Sequence, residues 1–324
     1  MLKSDASIYV AGHAGLIGSA VVRRLQRDGY RAPITRRRSE LDLQDAGKVS
    51  EFFEEFHPEY VILAAGRVGG IMENQAYPAD FMDVNMAIQL NVLKAARKAG
   101  VRRLILFGSS CMYPRECSQP MAEDALLSGK PEPTSLPYAI AKLAGTYLCL
   151  AYNRQDRDTR FIPVIPNSAY GPHDDFDPQS AHVLSALMAR FHQAKVSGAE
   201  SVALWGSGSP RREFIHADDI ADACLHLLRQ DDLAVELPLN IGIGHDVSIR
   251  ELAELIAGVI GYRGELRWDR TKPDGAPRKL LDSTRIQSLG WKPHIELAEG
   301  LSETYRWYVN HVESATTSMQ EVRT

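Results

Sequence analysis

Two rhythms alternate along the first half of the chain. Short apolar runs, of strand length, are separated by longer stretches whose apolar positions recur at helical spacing. "SIYVAG" (7–12) predicts a strand, and "LIGSAVVRRLQRDGY" (16–30) a helix ending near Gly29. "RAPITR" (31–36) predicts a weak second strand, and "VSEFFEEFHP" (49–58) a helix ended by Pro58. "YVILAAG" (60–66), "RRLILFGSS" (102–110) and "RFIPVIP" (160–166) predict three more strands. Long helical patterns fill 78–100 and 137–155 between them. Strands separated by helices at this spacing predict right-handed βαβ units. The expected fold class is therefore α/β: a doubly wound parallel-sheet Rossmann domain.

After Pro166 the rhythm loosens. Helices are expected over 179–198, 218–230, 248–261 and 300–312, and strand, turn and strand over 201–216. Residues 238–242 form a short strand pattern, and Ser248 stands three before Glu251, the spacing of a capping box. The expected division is a cofactor domain of 1–166 plus about 213–243. A smaller C-terminal α/β substrate domain takes 167–212 plus about 244–312, and 313–324 form a frayed tail.

Composition narrows the class. With 324 residues, 44% hydrophobic and 24% charged, the chain can bury a sizeable core. A net charge of −4 gives no general attraction to nucleic acid or to an anionic membrane. No apolar run has the length of a membrane span, and the first residues lack the pattern of a signal peptide. Four cysteines without CxxC spacing are neither a disulfide framework nor a zinc site, so no metal is expected. A reduced, cytoplasmic protein is expected.

Chemistry begins with "AGHAGLIG". Gly12, Gly15 and Gly18 fall where a strand ends and a helix begins. Glycines there let the backbone approach a pyrophosphate, whose charge sits at the helix N-terminus. The second strand decides the dinucleotide. An NAD site wants an acid at its end, but this chain has "TRRRSE", with Arg36 in that place. A guanidinium suits a 2′-phosphate, so NADP(H) is the expected cofactor. The bland alternative makes 36–38 a solvated basic turn. Asp42 and Leu43 follow where the adenine edge would lie.

Tyr138 and Lys142 in "YAIAK" share a helix face. Lysine would lower the phenol pKa and help hold the cofactor's ribose. Tyrosine would then protonate a carbonyl oxygen as hydride reaches its carbon. Ser109, at a strand's C-terminal end, would bind the same oxygen. Cys111 lies two residues further on, in "FGSSCMYP". A ketone acidifies the C–H bonds on both adjacent carbons. A base on one face and an acid on the other can therefore invert those carbons without a metal. Cys111 and His182 are candidates for that pair. Each also fits a structural role, Cys111 as a small core residue and His182 as a helix-surface or core histidine.

These residues resemble the extended short-chain dehydrogenase/reductase family. "AGHAGLIGSA", "LAAGRVGGI", "YPADF", "GSSCMYP", "EPTSLPYAIAKLAG", "YGPHDDF", "WGSGSPRREFIHADD" and "KPDGAPRKLLD" carry the resemblance across nearly the whole chain. It implies epimerisation at C3 and C5 of GDP-4-keto-6-deoxy-D-mannose, followed by NADPH-dependent reduction at C4. Ser109, Tyr138 and Lys142 would reduce, and Cys111 and His182 would epimerise. It implies cofactor contacts from His13, Leu16, Ile17, Ala65, Pro166, Asn167, Ser168, Ala169 and His182 besides those above. It implies substrate contacts from Arg190, Trp205, Arg212, Asp274 and Lys279. It also implies a homodimer packed through the helices near 80–99 and 137–153. The chain departs from the family at Ala14, where a basic residue is common, and at Ser168, where asparagine is usual.

A related GDP-colitose or GDP-heptose enzyme remains the runner-up. A 4,6-dehydratase would want an Asp-Glu pair where Ser110 and Cys111 stand, and a simple 4-epimerase an acid near Arg36. A non-catalytic NADP sensor would have no use for the Tyr, Lys, Cys and His set.

Overall fold

The computed structural model describes residues 2–156, 160–177, 180–230 and 233–313. In chain order the first part runs β1 (Ile8–Ala11), α1 (Leu16–Arg27), α2 (Ala46–Phe56), β2 (Tyr60–Leu63), α3 (Ile71–Ala76), α4 (Pro78–Lys98), β3 (Arg103–Phe107), α5 (Leu136–Gln155) and β4 (Phe161–Pro166). It continues with β5 (Ser168–Tyr170), α6 (Val183–Ser197), β6 (Ser201–Trp205), β7 (Arg211–Arg212), β8 (Phe214–His216), α7 (Ala217–Arg229) and β9 (Leu239–Ile241). The last elements are β10 (Val247–Ser248), α8 (Ile249–Ile260), β11 (Glu265–Asp269), β12 (Arg278–Lys279), α9 (Thr284–Ser288) and α10 (Leu297–Tyr308).

The main sheet has the order β1-β2-β3-β4-β9, and every pair in it is parallel. Its strands are buried throughout because both faces are covered. Alternation sends Ile8, Val10, Ile62, Ile105 and Val164 into a core shared with α1 and α7. The intervening Tyr9, Ala11, Val61, Leu63 and Leu104 enter a second core with α2 and α4. A third core joins α6, α8 and α10 through Met188, Phe191, Leu252, Ile256 and Leu301.

The expected strand at 31–36 shrinks to one parallel bridge, Tyr9 to Ile34. Only Ile34 bonds to β1 there, donating to Ile8 O at 2.8 Å and accepting from the Val10 N–H at 3.0 Å, and Arg36 packs aside on the Phe56 ring. This bridge lies on one side of β1 and β2 lies on the other, so the chain reverses direction across the sheet at β1. Ligands of doubly wound sheets collect at such a switch point, beyond the strands' C-terminal ends.

Helix α6 starts at Val183, four residues later than the pattern suggested, because His182 is extended at φ −68°, ψ 161° and stands as its N-cap. The capping box at Ser248 is present, with Ser248 and Glu251 each accepting from the other's backbone N–H. Of the expected tail, 314–324 lie outside the described residues. No helix among the described residues is long and apolar enough to cross a membrane.

Candidate active site

The glycine loop is built by close approach. A Cβ on Gly18 would fall 2.0 Å from Gly12 O, and one on Gly12, at φ +80°, would fall 2.7 Å from Ala65 N. These two glycines let α1 and the end of β2 close on β1. Gly15 has only Gly12 O within contact range, at 3.6 Å, and is exposed. It is the N-cap of α1, with no side-chain cap and no acid in the first turn. The N–H groups of Leu16, Ile17 and Gly18 at the helix start therefore face an open cradle. Beside it, His13 Nδ1 is buried without a partner. An open helix N-terminus, an orphaned polar atom and glycines that cannot carry side chains fit a dinucleotide pyrophosphate.

Arg36 is half-buried. Its guanidinium lies 4.4 Å from the Phe56 ring centroid and donates to Thr35 O at 2.8 Å. The rings of α2 thus hold it flat at the edge of the switch point. Arg38 pairs with Asp42 at 3.7 Å, while Arg37 is exposed. Asp42 is occupied locally, accepting from Gln44 N–H at 3.0 Å. The Leu43 side chain is buried in the second core, so only its backbone is free to meet an adenine.

Ser109 stands just past β3. Its hydroxyl accepts from Cys111 N–H at 3.2 Å, starting the short turn Ser110–Met112. The same hydroxyl is within hydrogen-bonding reach of Tyr138, and the Cys111 thiol is close enough to act on that phenol electrostatically. Cys111 is half-buried and free. Ser109, Cys111 and Tyr138 therefore converge. Burial raises the Tyr138 phenol well above its ordinary range, Cys111 adds to this, and Ser109 opposes it. The expected lowering by Lys142 is absent. The Lys142 ammonium donates to Phe107 O at 3.0 Å and lies 5.8 Å from the Tyr138 ring centroid. It is itself buried and pushed down to about 8. The two groups are buried together, and desolvation outweighs their attraction.

This has a measurable consequence. Lys142 binds its proton less tightly in the folded chain, at about 8, than in the unfolded one, at about 10.5. The native state is therefore penalised in full below pH 8, and the penalty fades as pH rises from 8 to 10.5. Lys142→Met removes that penalty, about 3 kcal/mol. The expected result is a cofactor-free protein that melts higher at pH 7 but does not reduce, checked by thermal melts at pH 7 and 10. The gap in Tm between variant and wild type should narrow at the higher pH.

His182 is not in hydrogen-bond contact with Ser109, Cys111, Tyr138 or Lys142. Its side chain is exposed at the N-cap of α6. The preceding Ser180 and Ala181 carbonyls lie over Gly70, 3.3 and 3.9 Å from where its Cβ would stand. That loop begins at Gly66, whose own Cβ would meet Asn85 Oδ1 at 2.7 Å and Lys142 Nζ at 3.5 Å. His182 therefore belongs to a segment resting on the loop that leads to the Lys142 end of the site.

In the second lobe, β12 pairs with β7 so that Lys279 stands beside Arg212. Arg212 is half-buried, and burial lowers its pKa. It donates only to the carbonyls of Arg211 and Ala276, both at 2.7 Å, with no carboxylate partner among the described residues. Trp205 is 64% exposed, under Lys272 Nζ at 5.6 Å. Arg190 is exposed and donates to Ala203 O at 3.0 Å. Asp274 accepts from Ser207 N–H at 2.9 Å and Ser207 Oγ at 2.7 Å, so it braces the turn behind Trp205.

Pro166 ends β4, and Asn167, Ser168 and Ala169 carry the chain on into β5. Asn167 is buried, donates to Glu213 at 2.8 Å, and has its Oδ1 unpartnered. Glu213 was not singled out in the sequence. It is fully buried and also accepts from the N–H groups of Ile243, Gly244 and Leu281 at 2.7–3.0 Å, tying the lobes together. Its two neighbouring arginines mark a surface in the sequence, and nothing there signals burial. Asn85 was missed too. Phe81, Asn85 and Gln89 make one buried stripe of α4, and two amides on an apolar stripe were a readable signal.

The description "NAD dependent epimerase/dehydratase family" matches residues 8–242. The chain belongs to the NAD dependent epimerase/dehydratase family. Within it, the chain is 52% identical over 312 residues to GDP-L-fucose synthase 1 of Arabidopsis thaliana, covering 96% of each. It is 47% identical over 319 residues to GDP-L-fucose synthase of Escherichia coli K12, covering 95% of this chain and 98% of that one. Among solved structures, MlghC, a GDP-mannoheptose C4 reductase from Campylobacter jejuni with NADP bound, superposes with a TM-score of 0.86. It is 37% identical and covers 95% of this chain and 99% of that one.

Proposed function

We propose that the chain converts GDP-4-keto-6-deoxy-D-mannose to GDP-L-fucose, epimerising C3 and C5 and then reducing C4 with NADPH. The observation that carries this reading is the convergence of Ser109, Cys111 and Tyr138 at the end of β3. Ser109 and Tyr138 hold the C4 oxygen and stabilise the enolate when a neighbouring carbon loses its proton. Cys111, as thiolate, and His182 exchange protons with C3 and C5 from opposite faces. Tyr138 then gives its proton to the C4 oxygen. Bound NADPH supplies the hydride.

The Gly12–Gly18 loop and the N-terminus of α1 would hold the cofactor's pyrophosphate, Arg36 its 2′-phosphate and Lys142 its ribose. Arg212 and Lys279, adjacent in register and lacking carboxylate partners, suit the diphosphate of the sugar nucleotide. Trp205 offers its exposed face to the guanine. The cofactor lobe is 1–166 plus about 213–243, and the rest of the described chain is the substrate lobe. Higher identity to the fucose synthases than to the heptose reductase favours the 6-deoxy sugar. The test is NADPH absorbance with GDP-4-keto-6-deoxy-D-mannose, and with GDP-mannose as control. The reading predicts oxidation only with the keto sugar. Binding of NADPH without oxidation contradicts it.

Four free cysteines support a reduced compartment, the cytoplasm. A homodimer is supported by apolar side chains left exposed on the packed pair α4 and α5. Met86 and Leu90 are each 41% exposed, Ile140 40% and Tyr147 37%. A second copy would cover them. Leu90→Asp is expected to give a monomer by sedimentation, with wild type a dimer. A dimeric variant, or a monomeric wild type, would contradict this.

A further inference from the structure

Trp205 ends β6 with its indole 64% exposed, and alternation turns it away from the buried Val202 and Leu204. The neighbouring strand decides what stands over it. β11 runs parallel to β6 in a register that sets Asp269 beside Trp205, and Gly206 N–H donates to Asp269 O at 3.0 Å. The chain then turns at once. Lys272 N–H returns to the same Asp269 O at 3.2 Å. The Asp269 carboxylate accepts from Thr271 N–H at 3.0 Å and from the Thr271 hydroxyl at 2.5 Å, so it is occupied in holding that turn. The turn fixes the Lys272 backbone next to β6, and the side chain lays its ammonium 5.6 Å from the Trp205 ring centroid. Lys272 is exposed and makes no ion pair among the described residues.

An ammonium over an exposed indole is a weak contact, and a flat aromatic base stacked on that face would displace it. The lysine stem is flexible, so the ammonium can swing from the face of the indole to the edge of a base while its backbone stays on Asp269. At that edge the bases differ. Guanine presents two acceptors, O6 and N7, which suit an ammonium. Adenine presents N7 with an amino donor where O6 would be. We propose that Lys272 selects the base of the sugar nucleotide: it yields the Trp205 face to guanine and donates to guanine O6 and N7. This rests on the reading above that seats guanine on Trp205. The bland alternative is that Lys272 only adds positive charge near a diphosphate. A charge would strengthen every nucleoside diphosphate alike, whereas contact with the base edge strengthens only those with O6.

The experiment titrates the full chain, loaded with NADPH, with GDP, inosine diphosphate and ADP by calorimetry. It compares wild type, Lys272→Met, Lys272→Arg and Trp205→Leu. Wild type is expected to bind GDP and inosine diphosphate within about threefold of each other, since both carry O6 and N7, and ADP about tenfold or more weaker. Lys272→Met keeps most of the side chain and its apolar contact with the indole. It is expected to weaken GDP and inosine diphosphate about tenfold and ADP less than about twofold. Lys272→Arg, whose guanidinium can make the same pair of bonds, should keep a preference for GDP over ADP. An equal loss for all three ligands in Lys272→Met, or a wild-type ratio of GDP to ADP affinity, overturns the proposal. So does a wild type that binds inosine diphosphate as poorly as ADP, since the discrimination would then lie at the guanine 2-amino group. Trp205→Leu tests the reading beneath. Unchanged GDP binding in that variant takes the base off Trp205 and overturns the reading with the proposal, whereas lost binding there with an unchanged ratio in Lys272→Met overturns the proposal alone.

Discussion

Tyr138→Phe is expected to lower kcat for substrate-dependent NADPH oxidation by about 10²–10⁴-fold, with little change in cofactor affinity. The substitution removes one hydroxyl and nothing else. The ring stays packed against Phe81, edge to face at 6.1 Å, so the fold has no reason to yield. What disappears is the phenol proton within reach of Ser109. Burial raises the phenol pKa, so in the wild type Tyr138 keeps its proton at neutral pH and can give it up only to a group that becomes strongly basic. An oxygen gaining charge as hydride arrives is such a group. Phenylalanine cannot serve it, and Ser109 alone can hydrogen-bond but not replace the acid. Steady-state rates with a melting curve check this. A kcat within a few-fold of wild type would remove Tyr138 from the chemistry.

The second large effect is in stereochemistry rather than rate. Cys111→Ser is expected to cut solvent deuterium incorporation at C3 and C5 by about 10²–10⁴-fold while hydride transfer survives. Serine preserves the N–H that Ser109 accepts and nearly the same volume, so the turn Ser110–Met112 should persist. It loses the thiolate, the form in which a cysteine acts as base. The variant should therefore behave as a plain C4 reductase, giving product with its original C3 and C5 protons. Undiminished incorporation would take the thiol out of the mechanism.

How much of this was legible depended on which force decides each feature. The parallel sheet was readable because both its faces are buried, so its strands are plain apolar runs such as "YVIL" and "RLILF". The second strand expected over 31–36 was over-read, since only Ile34 bonds to β1. Helix α3 is six residues long, with Ile71 and Met72 exposed, and offers no amphipathic period to detect. The spacing of Tyr138 and Lys142 placed both on one face of α5. Their electrostatics were not readable, since desolvation is a property of what packs around them. His182 could be found as a histidine near a helix, but its place at the N-cap depends on a turn that only the backbone reveals. Glu213, between an arginine pair and an apolar run, gave no sign that it would sit wholly buried at the junction of the lobes.

The central claim is that one site both inverts two carbons and reduces a third. It is tested most directly by NMR of the product formed in D2O from GDP-4-keto-6-deoxy-D-mannose and NADPH. The account predicts GDP-L-fucose with deuterium at both C3 and C5. A C4-reduced product that keeps both original protons and the D-configuration would contradict it.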